Sequence, residues 1–109
     1  MKPNDTTNSS CLPQDTPILG KYGRMRRTYL KENKKLLYNQ MFLDDTLWQH
    51  LLDIDQQAND MMDTIVAQMK QERGITKKLK SEDWWRWVQE MGNIRNAAEE
   101  IVLREVVFA

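Results

Sequence analysis

Beyond Pro17, apolar positions recur every three and four residues, and no stretch alternates as a strand does. The clearest run begins where Asp45 or Thr46 can cap a first turn. Leu47, Trp48, Leu51, Leu52, Ile54, Ala58, Met61, Met62, Ile65, Val66 and Met69 then form a broad stripe. Gly74 follows Arg73 as a left-handed helix end, with Ile75 placed for the apolar contact of a Schellman motif. A second run holds Trp84, Trp87, Val88, Met91, Ile94, Ala98, Ile101, Val102 and Val106. Ser81 is its expected N-cap, with Glu82 and Asp83 where the macrodipole favours acids. The short link has room for one helical turn near residues 76–80 and predicts an antiparallel hairpin.

Upstream, residues 23–43 also read as helix through Met25, Tyr29, Leu30, Leu36, Leu37, Met41 and Phe42. The phase slips at "KENKK", which predicts two shorter helices with Asn33 as a left-handed stop. Residues 1–18 contain all three prolines among Ser, Thr, Asn and Asp, and read as a flexible tail. The expected fold is all-α: a three- or four-helix bundle over residues 19–109, built on the long hairpin.

Two charged residues fall inside the apolar stripes. Asp55 is in line with Trp48, Leu51 and Met62, and Arg95 with Trp84, Val88, Met91 and Val102. A hairpin turning near Lys77 and Lys78 sets Arg95 level with Asp60, within reach of Asp55. The expectation is a structural inter-helix ion pair, Asp55–Arg95, whose disruption would cost about 3–5 kcal/mol if buried.

The 109 residues suffice for one small domain, with 40% apolar and 29% charged residues and one cysteine. A single cysteine permits neither an internal disulfide nor a thiolate metal cage. No apolar run approaches the roughly 20 residues of a membrane span, and the start lacks a secretory apolar core, so the expected location is cytoplasmic. The net charge of zero conceals blocks. Residues 21–35 hold Lys21, Arg24, Arg26, Arg27, Lys31, Lys34 and Lys35 against one acid, Glu32. Residues 36–69 hold no Lys or Arg but six aspartates: Asp44, Asp45, Asp53, Asp55, Asp60 and Asp63. Residues 70–80 are basic again. The first block can contact phosphates or an acidic surface, with Tyr22 and Tyr29 available to stack on bases, or can be a solvated helix face. A carboxylate row at Asp53, Asp60 and Asp63 can imitate phosphates and enter a basic channel on a partner, or can be a solvated helix back.

The stretch "SEDWWRW" divides its tryptophans. Trp84 and Trp87 point into the stripe, whereas Trp85 lies about 100° from Trp84, in line with Gly92, Asn96 and Glu99. Two core anchors and one candidate partner contact, Trp85 with Arg86, are expected. Catalytic chemistry is sparse. His50 is the only histidine; its spacing to Asp53 is formally metal-compatible, but no second histidine exists to complete a bundle site. No phosphate-binding glycine loop or nucleophile elbow occurs. A non-enzymatic protein without metal or cofactor is expected.

"LGKYGRMRRTYLKENKKLLYNQ", "LWQHLLDIDQQAND" and "WVQEMGNIRNAAEEIVLREVV" together resemble the transposon-encoded protein family TnpV, over residues 19–108. The chain departs from that pattern at "WWRW", where fewer aromatics are expected, and at Asp44 and Asp45, where a small, glycine-like turn is expected. The resemblance implies an accessory or cargo protein of a mobile element in Gram-positive bacteria and carries no catalytic residues. Element context makes a host-defence inhibitor the leading expectation, of the anti-CRISPR type. Its partner would be a type II CRISPR effector nuclease, blocked at guide RNA loading or DNA binding. The alternative is an accessory DNA-binding protein for excision or transfer. Self-association through adaptable Met-rich stripes is a third option, with seven methionines in the chain.

Overall fold

The structure is a computed structural model that describes residues 18–109; residues 1–17, where the expected tail and Cys11 fall, lie outside the described residues. Five α-helices follow in order: α1 (Lys21–Asn33), α2 (Lys35–Leu43), α3 (Leu47–Arg73), α4 (Lys77–Glu82) and α5 (Trp84–Val102). A π-helical turn, Leu103–Val107, continues α5. Among the described residues there is no strand, and the fold is all-α as expected. No helix among the described residues is long and apolar enough to cross a membrane.

The 27-residue α3 is the central element, covered by α1 over one part and α5 over another. Leu30 shares a buried cluster with Leu51, whereas Tyr22 shares one with Ile54 and Ala58, so α1 runs antiparallel to α3. Ala58 clusters with Val102, and Val66 and Met69 with Met91 and Ile94, so α5 is also antiparallel to α3. Leu30, Leu51, Ile94, Val102 and Val107 are the largest fully enclosed side chains. At about 25 cal/mol per Å² such apolar burial is the main term holding the helices together.

The hairpin ends form by local chemistry. Gly74 adopts φ 67°, its N–H donates to Gln71 O and the Ile75 N–H to Lys70 O, completing the Schellman end with Ile75 buried. The Thr76 hydroxyl accepts the Leu79 N–H to cap α4. The N-cap of α5 is Asp83, whose carboxylate accepts the Arg86 N–H, rather than Ser81, which lies inside α4 and donates to Lys78 O. The α1/α2 break falls where the phase slip placed it, but its pivot is Lys34 at φ −137°; Asn33 is helical and its side chain donates to Tyr29 O. Asp45 is the only non-glycine described residue with positive φ, 63°. The turn expected at Asp44 and Asp45 thus takes a glycine-like conformation on an aspartate.

The Asp55–Arg95 ion pair does not form. The pairs that meet across the hairpin set Arg95 opposite Ile65, and it lines a shallow depression with Met62, Asp63, Val66 and Lys70. The intervening α4 shifts the register, leaving Arg95 about 15 Å along α3 from Asp55. Asp55 faces α1 instead, where Oδ1 accepts the Gly23 N–H at 3.0 Å. The ion pair that joins α5 to another helix is Lys21–Glu99, at 2.8 Å.

Candidate interaction surfaces

The predicted basic block is partly built into the fold. Arg26 is only 7% exposed. Its Nη1 donates to the main-chain oxygens of Val107 and Ala109, at 3.1 and 2.9 Å, and its Nε donates to His50 Nε2 at 3.3 Å. It fastens the end of the π-helical turn to α1 and α3 and is removed from any nucleic-acid surface. Arg24 donates to Leu19 O, Lys21 pairs with Glu99, and Lys34 reaches Ala109 O at 3.4 Å. Lys31 lies over the Tyr38 ring. Lys35 is exposed and Arg27 half-buried. Tyr22 is buried and Tyr29 packs on Phe108, so the expected pair of stacking rings is not presented.

The acidic row behaves differently. Asp53, Asp60 and Asp63 are all exposed along α3, with Asp53 accepting a hydrogen bond from Gln49 Nε2 at 2.8 Å. Asp53 and Asp60 are seven residues apart and share one face. This row carries no cationic partner among the described residues.

The tryptophan segment is more open than its periodicity implied. Trp85 is 79% exposed, as expected, but Trp84 is 54% exposed and is not a core anchor. By the hairpin register α3 ends opposite Trp87, so Trp84 lies a turn beyond it. Trp84 stacks on the half-buried Trp87, with centroids 5.4 Å apart and planes at 24°. Lys80 of α4 lies over both rings, 4.6 Å from the Trp87 centroid and 5.8 Å from that of Trp84. Such cation–π and stacking contacts hold the pair together, while Trp84 keeps about half of its surface in water. Lys77, Lys78 and Arg86 are exposed nearby, at the same end of the hairpin. The result is an aromatic platform rimmed by cations.

Among the described residues, no group of three or more His, Cys, Asp or Glu could hold a metal ion. His50 is an acceptor for Arg26, and burial followed by the Arg26 charge lowers its pKa from the usual 6.5. A groove of about 550 Å³ between α1 and the end of the chain is lined by Met25, Thr28, Tyr29, Glu32, Asn33 and Phe108.

No curated protein and no solved structure matched the chain. The family model described as "Transposon-encoded protein TnpV" matches residues 10–107, nearly the whole chain, and the protein belongs to that family.

Proposed function

We propose that this protein is a non-enzymatic interaction module of its mobile element, acting as a host-defence inhibitor of the anti-CRISPR type. In this reading the Trp84–Trp85–Arg86 face seats on a type II CRISPR effector nuclease and blocks guide RNA loading or DNA binding. The observation that carries it is the open presentation of Trp85 and Trp84 on the first turn of a capped helix. Exposed tryptophan beside arginine is the composition of interface hot spots. The solvent-facing Asp53, Asp60 and Asp63 complement the basic channels that such nucleases use for guide and target. The test is cleavage by a purified effector with the protein added before or after guide loading. Cleavage should fall, and Trp85→Ala should restore it. Undiminished cleavage with saturating protein, in both orders of addition, would remove this reading.

The alternative, an accessory DNA-binding protein, is favoured by one observation: Lys80 over the stacked Trp84 and Trp87 rings, beside exposed Lys77 and Lys78. Cations and exposed rings are the elements of a single-strand contact. A mobility shift that weakens steeply with salt and is lost on Lys77→Ala/Lys78→Ala would support it. Absence of any shift at low salt would end it.

A further inference from the structure

The helix α2 buries none of its residues fully and turns apolar side chains to solvent. Leu36 is 88% exposed and Leu43 80%, and Phe42 is also largely open. Leu36 and Leu43 are seven residues apart, and Asn39 and Gln40, both exposed, lie between them on the same face. Tyr38 and Met41 point the other way and pack on the cluster of Leu30 and Leu51. The outer face is therefore a short seam, leucine at each end and amides in the middle, that no other part of the described chain covers.

The sequence around this seam is a charge-inverted palindrome. Reading inward from both ends of residues 34–45, "KKLLYN" meets "QMFLDD": Lys34 and Lys35 mirror Asp45 and Asp44, Leu36 mirrors Leu43, and Asn39 mirrors Gln40. Within one chain the end charges oppose the helix dipole, since Lys35 sits at the positive N-terminus and Asp44 at the negative C-terminus. An antiparallel neighbour of identical sequence reverses both penalties, bringing Asp44 of one copy level with Lys35 of the other.

We propose that α2 is a self-association surface, occupied by α2 of a second copy of this chain in antiparallel, two-fold register. Leu36 of each copy meets Leu43 of the other on the seam, while the two Asn39 amides flank the axis on one side and the two Gln40 amides on the other. A two-fold contact must be self-complementary, and this pattern is. The helix is only about 13 Å long, so the paired area lies at the small end of specific interfaces and the dimer is concentration-dependent.

Sedimentation of the full chain over a range of concentrations tests this. The wild type should shift from monomer to dimer mass. Leu36→Glu/Leu43→Glu should weaken self-association by at least about tenfold while leaving the helical circular dichroism intact, because both side chains already face water. Lys35→Asp and Asp44→Lys should each weaken the dimer alone. Mixing these two variants should favour the heterodimer over self-association of either variant, because each new charge then lies level with an opposite charge on the other copy. A wild type that stays monomeric at the highest concentrations overturns the proposal, as does a dimer indifferent to the leucine changes. Failure of the mixed variants to pair overturns the antiparallel register.

Discussion

The Asp55 carboxylate of α3 accepts the Gly23 amide proton in the first turn of α1 at 3.0 Å, so one helix caps another. Gly20, at the N-cap of α1, has no side chain with which to cap. A Cβ at Gly20 would come within 2.5 Å of the Asp55 carboxylate, and one at Gly23 within 3.0 Å of Leu51 O. The "GKYG" spacing therefore permits the close approach, and the aspartate uses it, satisfying an orphan N–H at the positive end of the dipole. Asp55→Ala should lower unfolding free energy by about 1–3 kcal/mol. Arg95→Ala, on an exposed residue, should stay within about 0.5 kcal/mol. Urea unfolding of both variants checks the contrast; equal large losses would point back to an ion pair between them.

Much of the fold was legible because it depends on local signals. The 3.6-residue period located α3 and α5, Gly74 and Ile75 marked the turn, and the phase slip at "KENKK" marked the break between α1 and α2. What periodicity cannot specify is which neighbour covers which part of a broad stripe. Asp55 lies on the part of α3 that faces α1, whereas Arg95 and Val88 lie at the edge of the α5 face, roughly 60–90° from its centre. The same limit misplaced Trp84, whose period is right but whose opposing helix has ended. Arg26 was hidden for a different reason. A charge in a basic run gives no local sign that main-chain oxygens more than eighty residues away will bury it. A faint sign did exist in its spacing, since Tyr22, Arg26 and Leu30 are successive i+4 positions on the buried face.

The turn between α2 and α3 holds Asp45 at φ 63°, a region where a side chain with Cβ is crowded. Its Nα–H donates to Phe42 O at 3.3 Å, and the following Thr46 N–H donates to Met41 O at 3.0 Å, so the conformation is fixed by the chain on both sides. Asp45→Gly should therefore stabilise the protein by about 0.5–1 kcal/mol, the relief at φ exceeding the added entropy of the unfolded chain. Asp45→Val should destabilise it, because β-branched residues tolerate positive φ worst. Thermal melts of the two variants should move in opposite directions.

Arg26 Nε–H donates to His50 Nε2, which requires a neutral imidazole with its proton on Nδ1. Burial is the larger cause of its lowered pKa and the Arg26 charge the next; Asp53 pulls the other way. A folded-state value below the unfolded one means that the unfolded chain takes up the proton first on acidification. The His50 contribution to stability is therefore complete above the unfolded value of 6.5 and is lost as pH falls from there toward the folded value. His50 is the chain's only histidine, and histidine is the side chain whose ordinary titration falls in the interval from about pH 7.5 to 5.5. The urea midpoint should drop across that interval. His50→Gln, which keeps an acceptor for Arg26 without a titrating ring, should flatten the drop.

The three tryptophans of "WWRW" should separate by the covering that each receives. Trp87 is half-buried beside Met91 and Ile75 and carries Lys80 on its ring, so Trp87→Ala should be the most destabilising. Trp84 lends mainly its stack on Trp87, worth about 0.5–1.5 kcal/mol, and Trp84→Ala should lose about that amount. Trp85 has most of its surface in water, and Trp85→Ala should leave stability within about 0.5 kcal/mol. A double-mutant cycle on Trp84 and Trp87 should return a coupling that the Trp85–Trp87 cycle lacks, because the two indoles point to different sides of α5. Iodide quenching gives an independent reading: Trp85→Ala should remove the most accessible component of the emission while the melting curve stays in place. A large loss of stability from Trp85→Ala would mean that this indole is held by the fold and is not presented to a partner.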